Sequence, residues 1–168
     1  MATLVLETGA GLTNSNSYCD LAGGNTYHDN RLHVTDWTNA SDADKETALV
    51  WATNLLDDMI AWNGTIANDD QALRWPRDGI IDLDGNTIDD DTIPDFLREA
   101  TAEFSRLLIA SDRFADSDTA GFKELKVGPI ELVMDKYSAS PKLPVSVWYM
   151  LKSYGSLNNG SNRELTRA

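Results

Sequence analysis

Two segments of the chain repeat apolar residues at the three- and four-residue spacing of an amphipathic helix. The first stripe follows Ser41, which with Asp44 resembles a capping box, and consists of Ala48, Leu49, Ala52, Leu55, Leu56, Met59 and Ile60. The second lies around Pro94, a residue suited to a first helical turn, and consists of Ile93, Phe96, Leu97, Ala100, Phe104, Leu107 and Leu108. The pattern predicts helices over residues 42–61 and from about residue 92. Each stripe is too narrow to be buried alone, so we expect the two helices to pack as an antiparallel pair.

Shorter apolar runs between turn residues predict small strands. The segment that joins the two helices is too long for a structureless loop in a compact domain. Its Asp84-Gly85-Asn86 turn, flanked by Ile80-Ile81 and Thr87-Ile88, predicts a hairpin. Residues 122–127 and 130–134, separated by Gly128-Pro129, predict a second pair of strands.

The two ends of the chain carry weaker patterns. Residues 3–6 predict a strand or extended arm, and Asp20 is placed to cap a short helix that Gly23-Gly24 weakens. A last helix is predicted from Pro144, with apolar residues at Val147, Met150, Leu151 and Tyr154. We therefore expect a mainly α fold: a small helical bundle of two long antiparallel helices plus shorter helices, with one or two β-hairpins. A single domain over residues 1–154 is expected to precede a flexible C-terminal tail at 155–168, which is rich in Gly, Ser and Asn.

Length and charge limit the possible functions. The chain has 168 residues, the size of one domain, and a net charge of −13. Such acidity suits neither a phosphate backbone nor an anionic membrane surface. The single cysteine, Cys19, cannot form an internal disulfide, and neither a secretory signal nor a membrane span is expected.

The acidic charge is concentrated in one block. Residues 82–118 contain eleven Asp or Glu against three Arg. One interpretation is a solvated face that keeps the protein soluble. The other is a surface whose function requires negative charge, and the block alone leaves both open.

Signals for catalysis are poor, and we expect no enzyme, no cofactor and no metal site. His28 and His33 are five residues apart, which does not match the four-residue spacing of a zinc-binding helix. Cys19 has no nucleophile context and is interpreted as a small apolar filler. The segment from Asp82 to Asp91 resembles a calcium loop superficially, but position six of such a loop is Thr87 and position twelve is Ile93, where an EF-hand needs Gly and Glu. A hairpin turn explains the segment better.

Arg74-Trp75-Pro76-Arg77 is the one cluster that looks suited to nucleic acid. An aromatic ring between arginines can stack on the bases of a single strand. The competing interpretation is a tryptophan that anchors the long loop to the core, with the arginines paired to nearby acids. The overall acidity favours the second interpretation.

An ordered set of short motifs resembles one protein family of tailed bacteriophages. The motifs are Gly11-Leu12-Thr13-Asn14-Ser15-Asn16-Ser17-Tyr18, Tyr27-His28, Ala48 to Asp57, Gln71 to Arg77, Asp84-Gly85, Ile93-Pro94 and Lys126 to Ile130. Each is weak alone, but together they span roughly residues 5 to 150 in the family's order. The family is often labelled "DnaT-like single-stranded DNA-binding protein", and its members resemble head-to-tail connector adaptors. This chain departs from it at Gly23-Gly24, where the family has a short helix.

The resemblance implies two functions of different classes. The first is a structural virion protein of the neck: a ring of twelve copies that joins the portal to the tail or the next neck protein and lets genomic DNA pass through its lumen during ejection. The second is a single-stranded-DNA-binding replication protein, similar to a primosome component. Charge favours the ring, because an acidic lumen repels the phosphates of DNA, whereas a strand binder needs a basic groove.

Three sets of residues are candidates for these roles. Arg74, Trp75 and Arg77 are candidates for intersubunit or nucleic-acid contact, and Asp89, Asp90 and Asp91 are candidates for the lumen. The candidate portal-docking segment comprises Pro144, Trp148, Tyr149, Arg163 and Arg167, since residues 152–168 are net positive on an acidic chain. A tail without any partner explains the same segment equally well.

Overall fold

Two long helices form the centre of the molecule. A computed structural model describes residues 3–115, 124–127, 130–133 and 142–158. In that part five helices occur, namely α1 (Leu21–Asp29), α2 (Thr35–Asn39), α3 (Asp42–Met59), α4 (Asp95–Ala110) and α5 (Val145–Leu151). The described strands are β1 (Ile60–Trp62), β2 (Thr65–Ile66), β3 (Arg77–Asp78), β4 (Glu124–Val127), β5 (Ile130–Val133) and β6 (Gly155–Leu157). They form the antiparallel pairs β1–β6, β2–β3 and β4–β5.

The pairing of α3 with α4 confirms the main prediction from the apolar pattern. Ser41 caps α3 by accepting a hydrogen bond from the backbone N–H of Asp44 at 3.2 Å, and the Ser41 hydroxyl lies 2.7 Å from the Asp44 carboxylate. The N-terminal half of α3 lies beside the C-terminal end of α4, where Ala48 and Trp51 face Leu108 and Ile109, so the helices run antiparallel. The described part is mainly helical with small sheets, but its helices do not form a clear bundle.

Helix α3 ends two residues earlier than predicted because the chain changes direction into β1. Ile60 adopts an extended conformation (φ −117°, ψ 124°) and pairs with Leu157 of β6. This pairing also corrects the predicted tail, since residues 155–157 form an ordered strand. The remainder of the predicted tail from residue 159, including Arg163 and Arg167, lies outside the described residues.

The short helix α1 forms despite its two glycines, and Gly24 shows why. Asp20 caps the helix by accepting from the backbone N–H of Gly23 at 2.7 Å. A Cβ at Gly24 would lie 2.9 Å from a ring carbon of the buried Trp37, so the close approach of α1 to α2 requires glycine there.

The predicted small strands are partly confirmed. Strands β4 and β5 pair as expected around residues 128–129. At residues 80–88 only a single bridge forms between Ile81 and Thr87, around a turn at Gly85 (φ +89°). The predicted N-terminal strand is reduced to one bridge between Leu6 and Ser17.

Candidate functional site

Trp75, the aromatic centre of the candidate nucleic-acid motif, is fully buried in the core and contacts two other aromatic rings. Its exposed fraction is 0%. The ring meets Trp62 edge to face at a centroid distance of 5.7 Å and Phe96 at 5.8 Å, and Phe96 in turn stacks on Tyr154 at 3.7 Å. Base stacking requires an open ring face. Trp75 therefore anchors the long loop in the core, as the competing interpretation predicted.

Arg77, at the start of β3, is committed to the backbone of the same loop. Its Nε donates to the carbonyl of Asn63 at 2.6 Å, and its two terminal nitrogens donate to the carbonyls of Arg74 at 2.9 Å and Gly64 at 2.7 Å. Only 8% of the residue is exposed. The expectation that the motif's arginines pair with nearby acids is wrong for Arg77, because each of its three nitrogens donates to a backbone carbonyl.

A buried hydroxyl–carboxylate pair fixes the other side of the motif. The Tyr18 hydroxyl donates to the Asp57 carboxylate at 2.7 and 2.9 Å and accepts from the backbone N–H of Trp75 at 3.2 Å. Asp57 also accepts from the backbone N–H of Arg74 at 3.0 Å. The N-terminal loop, α3 and the motif thus converge on Asp57.

The environment of this pair raises both of its pKa values. Burial raises the pKa of Asp57 to about 6, although hydrogen bonds from Tyr18 and from the Arg74 backbone oppose the rise. Burial, reinforced by the Asp57 charge, raises the pKa of the Tyr18 hydroxyl well above its usual range. The pair joins the loop to α3.

Of the three motif residues predicted to make contacts, the structure leaves one accessible. The side chain of Arg74 is exposed, whereas Trp75 and Arg77 are buried. Burial of Trp75 and Arg77 leaves Arg74 as the motif side chain best placed for such a contact. Intersubunit or nucleic-acid contact stays a prediction for all three residues.

The candidate lumen residues Asp89, Asp90 and Asp91 are all exposed, on the loop that leads to α4. Nearby, Asp82 accepts from the backbone N–H groups of Asp84 at 2.9 Å and Asn86 at 2.8 Å, and from the Asn86 side chain at 3.0 Å. These bonds lower the pKa of Asp82 and close the turn. In the described ranges no group of three or more potential ligands is arranged to hold a metal ion.

The described residues of the candidate portal-docking segment differ in how far their side chains are exposed. Pro144 is buried at the N-terminus of α5, Trp148 is half-buried, and Tyr149 is 64% exposed with the Lys152 ammonium 4.5 Å from its ring centre. Val145, one turn earlier, is 55% exposed. An apolar and cationic surface therefore lies on α5.

Two buried carboxylates with structural roles were missed from the sequence. Glu7 is 1% exposed and accepts from the backbone N–H groups of Gly9, Gly11 and Leu12 and from the Ser15 hydroxyl, at 2.7–3.1 Å. The sequence feature that could have indicated a tight turn around Glu7 is the pair Gly9 and Gly11, and both glycines have a positive φ in the structure. Glu103 accepts from Arg31 at 2.7 Å and Arg106 at 2.9 Å. The helical pattern predicts both Glu103 and Arg106 on the polar face of α4, opposite the apolar stripe, whereas both are buried.

The histidine and cysteine side chains lack the setting of catalytic groups. Burial lowers the pKa of His28 to about 4, and its Nε2 contacts the carbonyl of Ala102 at 3.0 Å. Burial also raises the pKa of the Cys19 thiol to about 12, which disfavours the reactive thiolate. His33 is exposed at a positive φ of 61°.

Comparison with known proteins gives one family and no individual relative. Residues 2–168 match the family described as "Putative DnaT-like ssDNA binding protein". Neither a curated protein nor a solved structure matches the chain.

Replacing Arg77 by Lys is expected to lower the free energy of unfolding by about 2 kcal/mol, because one ammonium group cannot reach three separated carbonyls and leaves buried acceptors unsatisfied. Urea unfolding measures the change. The matched control is Arg74→Lys, an exposed side chain of the same motif, which should stay within about 0.5 kcal/mol. Equal stabilities of both variants would contradict the role given to Arg77.

The pKa of Asp57 predicts a pH dependence of stability. The folded protein binds this proton more tightly than the unfolded chain, so the free energy of unfolding should fall as pH rises from about 4 to about 6. In Asp57→Asn the decrease in the free energy of unfolding over this pH range should be smaller than in the wild type, by on the order of 2 kcal/mol. Asp58→Asn, at the exposed neighbour, serves as control and should retain the wild-type profile. Superimposable profiles of Asp57→Asn and wild type would contradict the raised pKa.

Proposed function

The chain belongs to the family described as "Putative DnaT-like ssDNA binding protein", and from that membership we propose that it is a structural head-to-tail adaptor of a tailed-phage virion. Copies form a closed ring in the neck, joining the portal to the tail or the next neck protein. The observation that carries the proposal is the burial of Trp75 and Arg77, which removes the ring and one guanidinium of the Arg74-Trp75-Pro76-Arg77 motif from the surface. No catalytic residue, cofactor or metal is assigned.

Surface charge favours a DNA conduit rather than a groove that binds single strands. In the described part, fifteen Asp or Glu residues are exposed against four exposed Lys or Arg. One of those four, Arg98, lies 3.1 Å from the carboxylate of Asp95. Repetition of such a surface around a ring produces a negative lumen, through which DNA passes without being held.

Three groups of exposed residues are the candidates for the contacts that an adaptor makes. The exposed acids Asp89, Asp90 and Asp91 are the candidates for the lumen. Arg74 is a candidate for contact with a neighbouring subunit. Tyr149 and Val145 on α5, followed by the positively charged end of the chain, are the candidates for contact with the portal. The neck of the virion is the corresponding location, after assembly in the host cytoplasm.

A second candidate function is binding of single-stranded DNA during replication. The family's description favours it directly. Arg74 and Tyr149 are the exposed cationic and aromatic side chains that such a function would use. Against it, these two residues stand on a surface dominated by carboxylates, and single-strand binders combine a positive groove with several stacking rings.

Capture by the cognate portal protein tests the adaptor directly. Portal immobilised at physiological salt should retain the chain in a multiple-copy complex, whose stoichiometry native mass spectrometry measures. Tyr149→Ala should weaken retention about tenfold, because exposed aromatic anchors dominate interfaces. Leu32→Ala, at another exposed apolar residue (79% exposed), is the matched control and should bind like wild type. Absence of portal capture at micromolar concentrations of both proteins would contradict the proposal.

A further inference from the structure

The turn at residues 80–88 holds two large aliphatic side chains in solvent. Ile81 is 61% exposed and Leu83 is 79% exposed, and the two are only two residues apart. At the base of the same turn, Ile80 is buried and Ile88 is half-buried against the main core. Single exposed aliphatic residues are common on protein surfaces, whereas neighbouring ones are typical of sites that contact another molecule. The tip of this turn is therefore a candidate contact site.

Hydrogen bonds hold the turn in one conformation. The backbone N–H of Ile88 donates to the carbonyl of Ile80 at 2.9 Å, and that of Asp82 donates to the carbonyl of Asn86 at 2.8 Å. The Asp82 carboxylate closes the tip by accepting from the backbone N–H groups of Asp84 and Asn86. A contact element that is already ordered loses less conformational entropy on binding than a flexible loop does. The turn thus presents its two aliphatic residues on a preformed support.

The charge around the turn defines the surface that it fits. Residues 78–97 contain seven Asp and no Lys or Arg. The complement of an apolar tip among carboxylates is an apolar pocket with a rim of Lys or Arg, because complementary charges steer a contact and fix its orientation. The same carboxylates repel the phosphates of DNA and the acidic surface of a second copy. The charge therefore favours a different protein as the partner.

The turn lies beside the end of α5. Tyr154 follows this helix by three residues and stacks on Phe96 at 3.7 Å. Burial, reinforced by the nearby charges of Asp82 and Asp84, raises the pKa of the Tyr154 hydroxyl, so these two carboxylates lie close to it. Helix α5 carries Tyr149, the candidate for contact with the portal. One partner can therefore contact the turn and the helix together.

We propose that the turn at residues 80–88 inserts Ile81 and Leu83 into an apolar pocket with a cationic rim on the portal protein, beside the contact made by α5. The two aliphatic side chains supply the apolar area of the contact, and the flanking carboxylates set its orientation. This contact rests on the proposed function, to which it adds a second portal-binding element.

Capture by the immobilised cognate portal measures the contribution of the turn. Leu83→Ala should weaken retention about tenfold, because burial of a leucine side chain at an interface contributes at least that much to affinity. Leu32→Ala is the matched control, since Leu32 is also 79% exposed, and it should bind like the wild type. Both side chains are largely in solvent, so neither change should shift the midpoint of urea unfolding.

A fluorescent label reports directly whether the turn is buried on the portal. Leu83→Cys is labelled with a dye whose emission shifts to the blue when water is excluded, while the native Cys19, 3% exposed, stays unlabelled in the folded protein. Addition of the cognate portal should shift the emission of this variant. The same dye on Leu32→Cys is the control, and its emission should not change.

Three outcomes would overturn the contact. Equal retention of Leu83→Ala and the wild type, with no shift of the dye, overturns it and leaves the adaptor function in place. A shift that appears only with the next neck protein, or only when the concentration of the chain itself is raised, assigns the turn to that partner instead of the portal. Failure of the portal to capture the wild type contradicts the adaptor function itself, and this contact with it.

Discussion

The fold depends on how the long connection between α3 and α4 satisfies its backbone N–H and C=O groups around the buried Trp75. Asp57 and Tyr18 receive the backbone N–H groups of Arg74 and Trp75 on one side. On the other side the guanidinium of Arg77 takes the carbonyls of Asn63, Gly64 and Arg74. Buried backbone groups without partners are strongly unfavourable, so these few side chains are what allow an irregular segment to complete the core.

This constraint also decides how the chain's one nucleic-acid-like motif should be interpreted. An aromatic residue between two arginines is the composition of a stacking site, and the family's description points the same way. The ring of Trp75 and the guanidinium of Arg77 are buried, only Arg74 of the motif is exposed, and the described surface is rich in carboxylates. The adaptor proposal rests on this distribution, because a protein that surrounds DNA without holding it needs a surface on which negative charge predominates.

The sequence predicted the elements whose cause is local and missed those whose cause is a distant contact. Ser41, Pro94 and the apolar stripes suffice for α3 and α4, because caps and periodicity act within a few residues. The burial of Trp75 was the favoured interpretation, but the partners of Arg77 were not predictable, since carbonyls leave no signature in a sequence. Strand β6 was assigned to a tail because its stability comes from pairing with β1, about 95 residues earlier. Gly24 was taken as a weakness of α1, whereas contact with Trp37 requires it.

Fluorescence anisotropy with labelled single-stranded DNA, titrated at low and at physiological salt, tests the central claim most directly. A buried motif and an acidic surface predict no saturable binding at physiological salt and at most weak binding at low salt, with Arg74→Ala unchanged from wild type. Tight binding that weakens steeply with salt and is lost in Arg74→Ala would contradict the account, because it would require a cationic strand-binding surface around a motif that we assign to the core.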